Sequence, residues 1–330
     1  SHLLRRAGVS MCWLDRKRNQ QQIQRCELSK EVVDVRTTHL RDPETRMIWI
    51  TLAPALSVIG LLTGTSLVYG VAQSLGYLPI IGKTRISLDA YQNLLMGATP
   101  AAREFWTALG FSLWISASAT ALAALGALMI AVALTSRRHA DDGILLLSLN
   151  LNLAFPHLVW AVALSLLLSQ SGLLARIATA VGVIHTPVEF PVLVRDRYGF
   201  GIILHYVSKE IPFLTLVVLA VLRTQGAAYD LVAENLGANP WQRLRYVTLP
   251  LVLPGLSAGV ALVFAFVFGA YEVPALLGVR YPRSLAVVAL EYFTNPDLNR
   301  RAEGMAIGSI MAAFVVGLVW LSRLFNRASA

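Results

Sequence analysis

Charge is what this sequence has least of. Only 14% of its 330 residues are Asp, Glu, Lys or Arg, against 56% hydrophobic, whereas a soluble domain carries about 25% charged side chains. That shortage excludes an ordinary water-facing domain. Cysteine is nearly absent too: Cys12 and Cys26 stay thiols in a reducing cytosol, and two isolated thiols make no metal site. The spacings of a hydrolase or metalloenzyme are also lacking, with no His-Glu-x-x-His and no Gly-x-Ser-x-Gly. The nearest approach is "HTPVE" at 185–189, where Pro187 works against one helical face for the His and the Glu. "IIGKT" at 80–84 looks like the end of a phosphate-binding loop, but Tyr77 stands where that motif requires its first Gly. No catalytic residue is assigned.

Apolar length is what the sequence has in quantity. Runs fall at about Met47–Ala72, Thr107–Leu134, Ile144–Leu168, Phe200–Leu222, Leu251–Gly278 and Met305–Leu324, and roughly 20 apolar residues cross a bilayer core of ~30 Å. Each should be a helix, because backbone groups in lipid must be satisfied within their own segment. The fold class is therefore all-α, a polytopic membrane protein with six transmembrane helices. The first run is too long for a signal-peptide core and is read as a retained span.

An even number of spans puts both termini on one side. Arg5, Arg6, Arg16, Lys17, Arg18, Arg25, Lys30, Arg36, Arg41 and Arg46 precede the first run and are read as keeping the N-terminus cytoplasmic. Binding nucleic acid is the other reading of such an arm. Arg137, Arg138, Arg223, Arg243, Arg245, Arg323 and Arg327 fall on the same side, but Arg280, Arg283, Arg300 and Arg301 fall in the last outer loop. Orientation thus rests mainly on the arm. The chain divides into a basic arm at 1–46, a six-helix domain at 47–325 containing a loop at 223–250, and a cytoplasmic tail at 326–330.

That loop interrupts an apolar chain with a compact polar hairpin, "LGANPWQRLRYVTLPLVLPG" at 236–255. A short helix through Leu231–Leu236 can stop at Gly237, since Gly accepts the left-handed conformation that ends helices. Asn239 is a good N-cap and Pro240 suits the first helical position. A second helix through Trp241–Val247 follows, and Leu249-Pro250 is expected to break it before span five. Trp241, Arg243, Arg245 and Tyr246 are then contact residues, of the kinds that anchor protein interfaces. Resting on lipid headgroups is the alternative.

Gly237-Ala238, Leu249-Pro250 and Pro254, in a loop between spans four and five, resemble the cytoplasmic coupling loop of ABC importer permeases of type I. "YVSKEIPF" at 206–213 resembles the same family, and the likeness runs over 47–325. The family's Glu-Ala-Ala falls on Leu231, Val232 and Ala233, of which only Ala233 matches, so Asp230 or Glu234 would supply the acid. "FGAYEVPALLG" at 268–278 and "LAFPHLVWAVALSLLLSQSGLLARI" at 153–177 look most like the spermidine/putrescine-type branch. The resemblance implies a bacterial inner-membrane protein with a second permease subunit, identical or homologous. It also implies two ATPase subunits docking on Asp230, Ala233, Glu234, Gly237, Ala238, Trp241, Arg243, Arg245, Leu249 and Pro250, and an extracytoplasmic solute-binding protein. This chain would need no cofactor and no metal; ATP and Mg would sit on the partner ATPases. Lipid surrounds the protein and nucleic acid is not a partner. The implied cargo is a small organic cation such as spermidine or putrescine, with thiamine, ferric iron, phosphonate, sulfate or molybdate as the family's other cargoes.

Ionisable groups inside spans default to functional hypotheses, and four stand out: His157, Lys209, Glu210 and Glu272. A rise of about 1.5 Å per residue puts His157 and Lys209 roughly 21 Å, and Glu272 roughly 27 Å, from the cytoplasmic edge. They would form a polar layer at the top of a pathway, with Tyr271 and Trp160 offering cation–π faces. Alternatively, Glu210 or Glu272 pairs with Lys209 or His157 and locks the bundle. Adjacent helix residues point about 100° apart, so Lys209 and Glu210 cannot face one spot. Two carboxylates favour a cation. Asn150 and Asn152 are read as glue between helices, and Pro156 and Pro212 as kinks. An intramembrane enzyme built on His157, Glu210 and Glu272 and a lipid-binding scaffold are the readings from other classes.

Overall fold

A computed structural model describes residues 43–97, 99–136 and 143–328. Most of the basic arm with its two cysteines, Arg137 and Arg138, and the last two residues of the tail lie outside the described residues, as do the side chains of Arg323 and Arg327. The chain forms two compact units, residues 1–68 and 69–330. In the first, the described residues from Pro43 form one helix with exposed apolar side chains. That helix, α1 (Pro43–Ser74), supplies the start of the second unit from Tyr69.

The second unit continues with α2 (Asp89–Leu95), α3 (Pro100–Ser136), α4 (Gly143–Ala154), α5 (His157–Leu168), α6 (Leu173–Ala180) and α7 (Phe200–Val221). Then come α8 (Ala227–Asn235), α9 (Pro240–Arg243), α10 (Leu249–Gly269), α11 (Glu272–Leu277), α12 (Leu285–Phe293) and α13 (Arg300–Ala328). Among the described residues there is no strand, only a single bridge between Leu78 and Lys83. Among the described residues, six helical stretches are long and apolar enough to cross a membrane.

The core forms where α3, α7 and α10 pack together. Ala119, Ala123, Ala127 and Ala131 recur every fourth residue on α3, and all four are fully buried. Their spacing puts small side chains on one face and lets helix backbones come close. Gly126 lies where an added Cβ would stand 2.7 Å from Ile211 Cδ1. The start of α7 is fixed by Asp196, whose carboxylate accepts from the N–H groups of Tyr198, Phe200 and Gly201 at 2.9, 3.0 and 3.3 Å. A second core lies among α2, α3, α12 and α13. There Glu104 bonds Arg283 and accepts from the Tyr292 hydroxyl at 2.8 Å. Burial and that carboxylate push the Tyr292 phenol well above its ordinary range. Arg283 also bonds Glu291, while Arg300 and Arg301 lie over the rings of Tyr292 and Phe293. Three of the four arginines in this last loop are thus engaged by neighbouring side chains.

Two spans differ from the sequence expectation, each at a proline. The run expected as one helix over Ile144–Leu168 is two, parted at Phe155-Pro156, and the stretch there long and apolar enough to cross a membrane is His157–Ala180. Pro156 is extended (φ −59°, ψ 143°) and disfavours helical geometry in the residue before it. The run expected to reach Gly278 ends at Gly269, where Ala270 turns extended (ψ 135°). A continuous helix would need an N–H from Pro274 for the Ala270 carbonyl. Restarting at Glu272 places Pro274 in a first turn, where no such N–H is required. By contrast α7 continues without interruption through Pro212.

Candidate functional site

The polar hairpin closes by three devices. Gly237 is left-handed (φ +79°), its N–H donates to Glu234 O at 2.9 Å, and Ala238 N–H donates to Ala233 O at 3.0 Å. This pair of bonds is the Schellman ending of a helix, and it satisfies carbonyls that α8 would leave open. Asn239 then caps α9. Its side chain accepts from Gln242 N–H at 2.8 Å, and the Gln242 side chain accepts from Asn239 N–H at 2.9 Å. Gln242 is the half of this capping box that the sequence reading missed, although its position three residues after Asn239 is the signal for it. Third, Arg243 grips α8, its Nε donating to Asp230 Oδ1 at 2.7 Å and its Nη2 to Oδ2, with Glu234 Oε2 at 3.7 Å.

The surface left outward is aromatic and aliphatic. Trp241, Tyr246 and Leu236 are 66%, 70% and 82% exposed, and Arg245 lies over the Tyr246 ring. Arg243, Asp230 and Glu234 face one another across the hairpin, and Ala233 is buried beneath it. The expected break at Leu249-Pro250 is not there. Both residues continue a helix, and the proline is accommodated by a wide turn over Leu244–Thr248, in which Leu249 N–H reaches back to Leu244 O. Widening the turn relieves the clash between a proline ring and the carbonyl of the preceding turn. A matching wide turn over Leu222–Gly226 enters the hairpin from the other side.

The intramembrane groups gather beside the break in span three. His157, the first residue of α5, holds Glu210 Oε1 at 3.9 Å through Nε2 and His205 Nε2 at 3.3 Å through Nδ1. Trp160 Nε1 donates to Ser208 Oγ at 2.8 Å. Lys209 is only 2% exposed. Its hydrogen bonds go to the main-chain carbonyls of Asn152 and Phe155, at 2.5 and 2.8 Å. The layer therefore brings His157, Glu210, Lys209 and Trp160 together, and adds His205 and Tyr206, both fully buried and ring-to-ring with His157. The Tyr206 hydroxyl has no hydrogen-bond partner among the described residues. Glu272, the first residue of α11, and Tyr271 just before it are exposed at the break in span five, with Glu272 near enough to His157 and Tyr206 to act on both electrostatically. The glue role expected of Asn152 falls to its main-chain carbonyl. No group of three or more metal-ligating side chains occurs among the described residues.

Residues 124–329 match the family model described as binding-protein-dependent transport system inner membrane component. The chain belongs to this family. It is 29% identical over 177 residues to the inner membrane ABC transporter permease protein YnjC of Escherichia coli, a stretch covering 53% of this chain and 33% of YnjC. It is 32% identical over 165 residues to the molybdenum transport system permease protein ModB of Mycobacterium bovis, covering 50% of this chain and 59% of ModB. The chain thus spans between a third and three-fifths of the length of these relatives. A solved structure titled as a bacterial alginate ABC transporter in complex with alginate pentasaccharide-bound periplasmic protein superposes with a TM-score of 0.63 at 15% identity. It covers 85% of this chain and 97% of the matched one, a likeness of fold.

As an inner membrane component, the chain is a multi-pass membrane protein of a permease family and not an enzyme. The matched region contains the hairpin and the whole polar layer. The "HTPVE" stretch closes a loop: Glu189 accepts from His185 N–H at 2.8 Å and from the Thr186 hydroxyl at 3.0 Å. Those bonds hold the Glu189 carboxyl below the usual range. Their contribution to loop order is therefore present above the ordinary Glu pKa and lost as pH falls through the depressed one.

Proposed function

We propose that this chain is the permease subunit of an ATP-driven importer, forming half of a translocation pathway and receiving a cytosolic ATPase on the 223–250 hairpin. One observation carries the reading: a rigidly capped hairpin between two spans turns Leu236, Trp241 and Tyr246 outward in a chain of a transport family. Asp230, Glu234 and Arg243 brace the hairpin, and Gly237, Ala238, Leu249 and Pro250 set its path. The docking surface is then Trp241, Tyr246, Leu236 and Arg245, rather than an acidic contact. The partners are a second permease subunit, two ATPase subunits carrying ATP and Mg, and an extracytoplasmic binding protein. Both termini and the hairpin face the cytoplasm of a bacterial inner membrane.

The cargo we propose is a small organic cation of the spermidine/putrescine kind. What supports it is the disposition of charge: Glu272 is exposed at the break in span five, Glu210 faces His157, and Lys209 is engaged by carbonyls. A second reading, a molybdenum oxyanion, is favoured by the likeness to ModB. Glu272→Gln is expected to lower uptake of a cationic cargo about tenfold at limiting concentration, the size of one lost charge-assisted contact, with assembly unchanged. Unchanged uptake would remove Glu272 from the pathway.

The deciding experiment is the ATPase rate of the complex that co-purifies with this chain, in liposomes with its binding protein. Putrescine or molybdate is added in turn. Stimulation by putrescine supports the cationic reading, and stimulation by molybdate replaces it with the oxyanion. A chain that brings down no ATPase refutes the hairpin assignment.

A further inference from the structure

The broken third span raises a problem that its own sequence solves only in part, by one long bond from Phe155 N–H to the Asn152 carbonyl at 3.3 Å. In a continuous helix the carbonyl of Asn152 would accept the N–H of residue 156, and residue 156 is a proline, which has none. The carbonyl of Phe155 likewise falls where α4 has ended. Open carbonyls inside a membrane are costly unless neighbouring groups satisfy them. Lys209, on a different span, donates to both, at 2.5 and 2.8 Å, and is buried there. Its cation also lies at the helix end that carries partial negative charge. The next residue, Glu210, faces the other side of the break through His157, the first residue of α5. Two adjacent residues of α7 thus lie at the two broken ends, Lys209 bonded to main-chain carbonyls and Glu210 beside the His157 side chain at 3.9 Å.

We propose that Lys209 is a positioning residue of the transport pathway. Its ammonium stands in for the proton donor missing at Pro156 and so fixes where α5 sits. His157 and Trp160 lie on the first turn of α5. That helix packs on α7, through the His157–His205 and Trp160–Ser208 contacts, and on α11, which starts at Glu272. Lys209 does not meet cargo; it acts through the placement of His157 and Trp160. The transport half of this inference rests on the permease reading, and the structural half does not.

The test uses the full chain in its complex, with Cys12 and Cys26 replaced by Ser and spin labels at Leu147→Cys and Leu166→Cys, two exposed positions on either side of the break. In Lys209→Met the distance distribution between labels should broaden, and in Lys209→Arg, which keeps donors, it should stay narrow. Adding Pro156→Ala to Lys209→Met supplies the missing N–H, and should restore a single distance, a longer one. In uptake assays Lys209→Met should lower the maximal rate at least about tenfold at an unchanged half-saturating cargo concentration. A narrow distribution in Lys209→Met overturns the proposal. So does a raised half-saturation at an unchanged maximal rate, which would make Lys209 a cargo contact. Should Lys209→Met fail to accumulate, recovery of accumulation by Pro156→Ala supports the proposal and its absence refutes it. If the unmodified complex takes up nothing, the permease reading fails while the label distances still decide the role of Lys209.

Discussion

Replacing Gly237 with Leu or Pro is expected to abolish ATP-coupled uptake while leaving the protein inserted. At φ +79° a side chain costs roughly 1–2 kcal/mol, although nothing stands within 4 Å of the new Cβ. The strain is therefore conformational, not steric. Proline is worse, since its ring fixes φ near −65° and it removes the donor to Glu234 O. Either change undoes the stop of α8 and re-aims α9 with Trp241. Displacing a docking surface by an ångström or more should lower transport about a hundredfold. Gly237→Asn is the control, because Asn tolerates the left-handed region, and it should stay within a few-fold of the parent. The readouts are the amount of ATPase retained on purification and the rate of uptake. A Gly237→Leu protein that holds its ATPase and transports normally would sink the coupling assignment.

The second large effect concerns folding. Gly304 lies where α13 crosses α12, and a Cβ there would stand 2.7 Å from Phe293 N and 2.8 Å from Ala289 O. Both are main-chain atoms, so no rotamer change can relieve the clash. Gly304→Leu is expected to push α13 off α12 and cost about 3 kcal/mol, lowering Tm in detergent by roughly 5–10 °C. Gly308→Leu, one turn further along the same helix, meets nothing within 4 Å and should leave Tm unchanged. Equal melting of the two variants would show that the close approach carries no weight.

What was legible in the sequence was what depends on neighbours in the chain. Gly237, Asn239 and Pro240 announce a stop, a cap and a start because each acts within four residues of itself. The six apolar runs are legible for the same reason. The fate of Arg243 was not, because its partner Asp230 lies thirteen residues away and meets it only once the hairpin has closed. Lys209 shows the limit most clearly. Pro156 could be read as an interruption, but its remedy is a side chain more than fifty residues later, bonded to backbone and not to an opposite charge. His205 offered a signal that was passed over: it stands four residues before Lys209, hence on the same helical face. The end of span five at Gly269 hid inside an uninterrupted apolar run, where only Pro274 marks the restart.

The two wide turns at the roots of the hairpin, Leu222–Gly226 and Leu244–Thr248, bear on how this region can drift in length. Each turn holds one residue more than an α-helical turn would. Deleting one from either root would leave a well-formed helix, yet rotate everything beyond it by about 100°. Trp241 and Tyr246 would then swing to another azimuth with no contact broken inside the hairpin. Single-residue gaps between 222 and 248 should therefore be rare among functional homologues, even where the side chains themselves have changed.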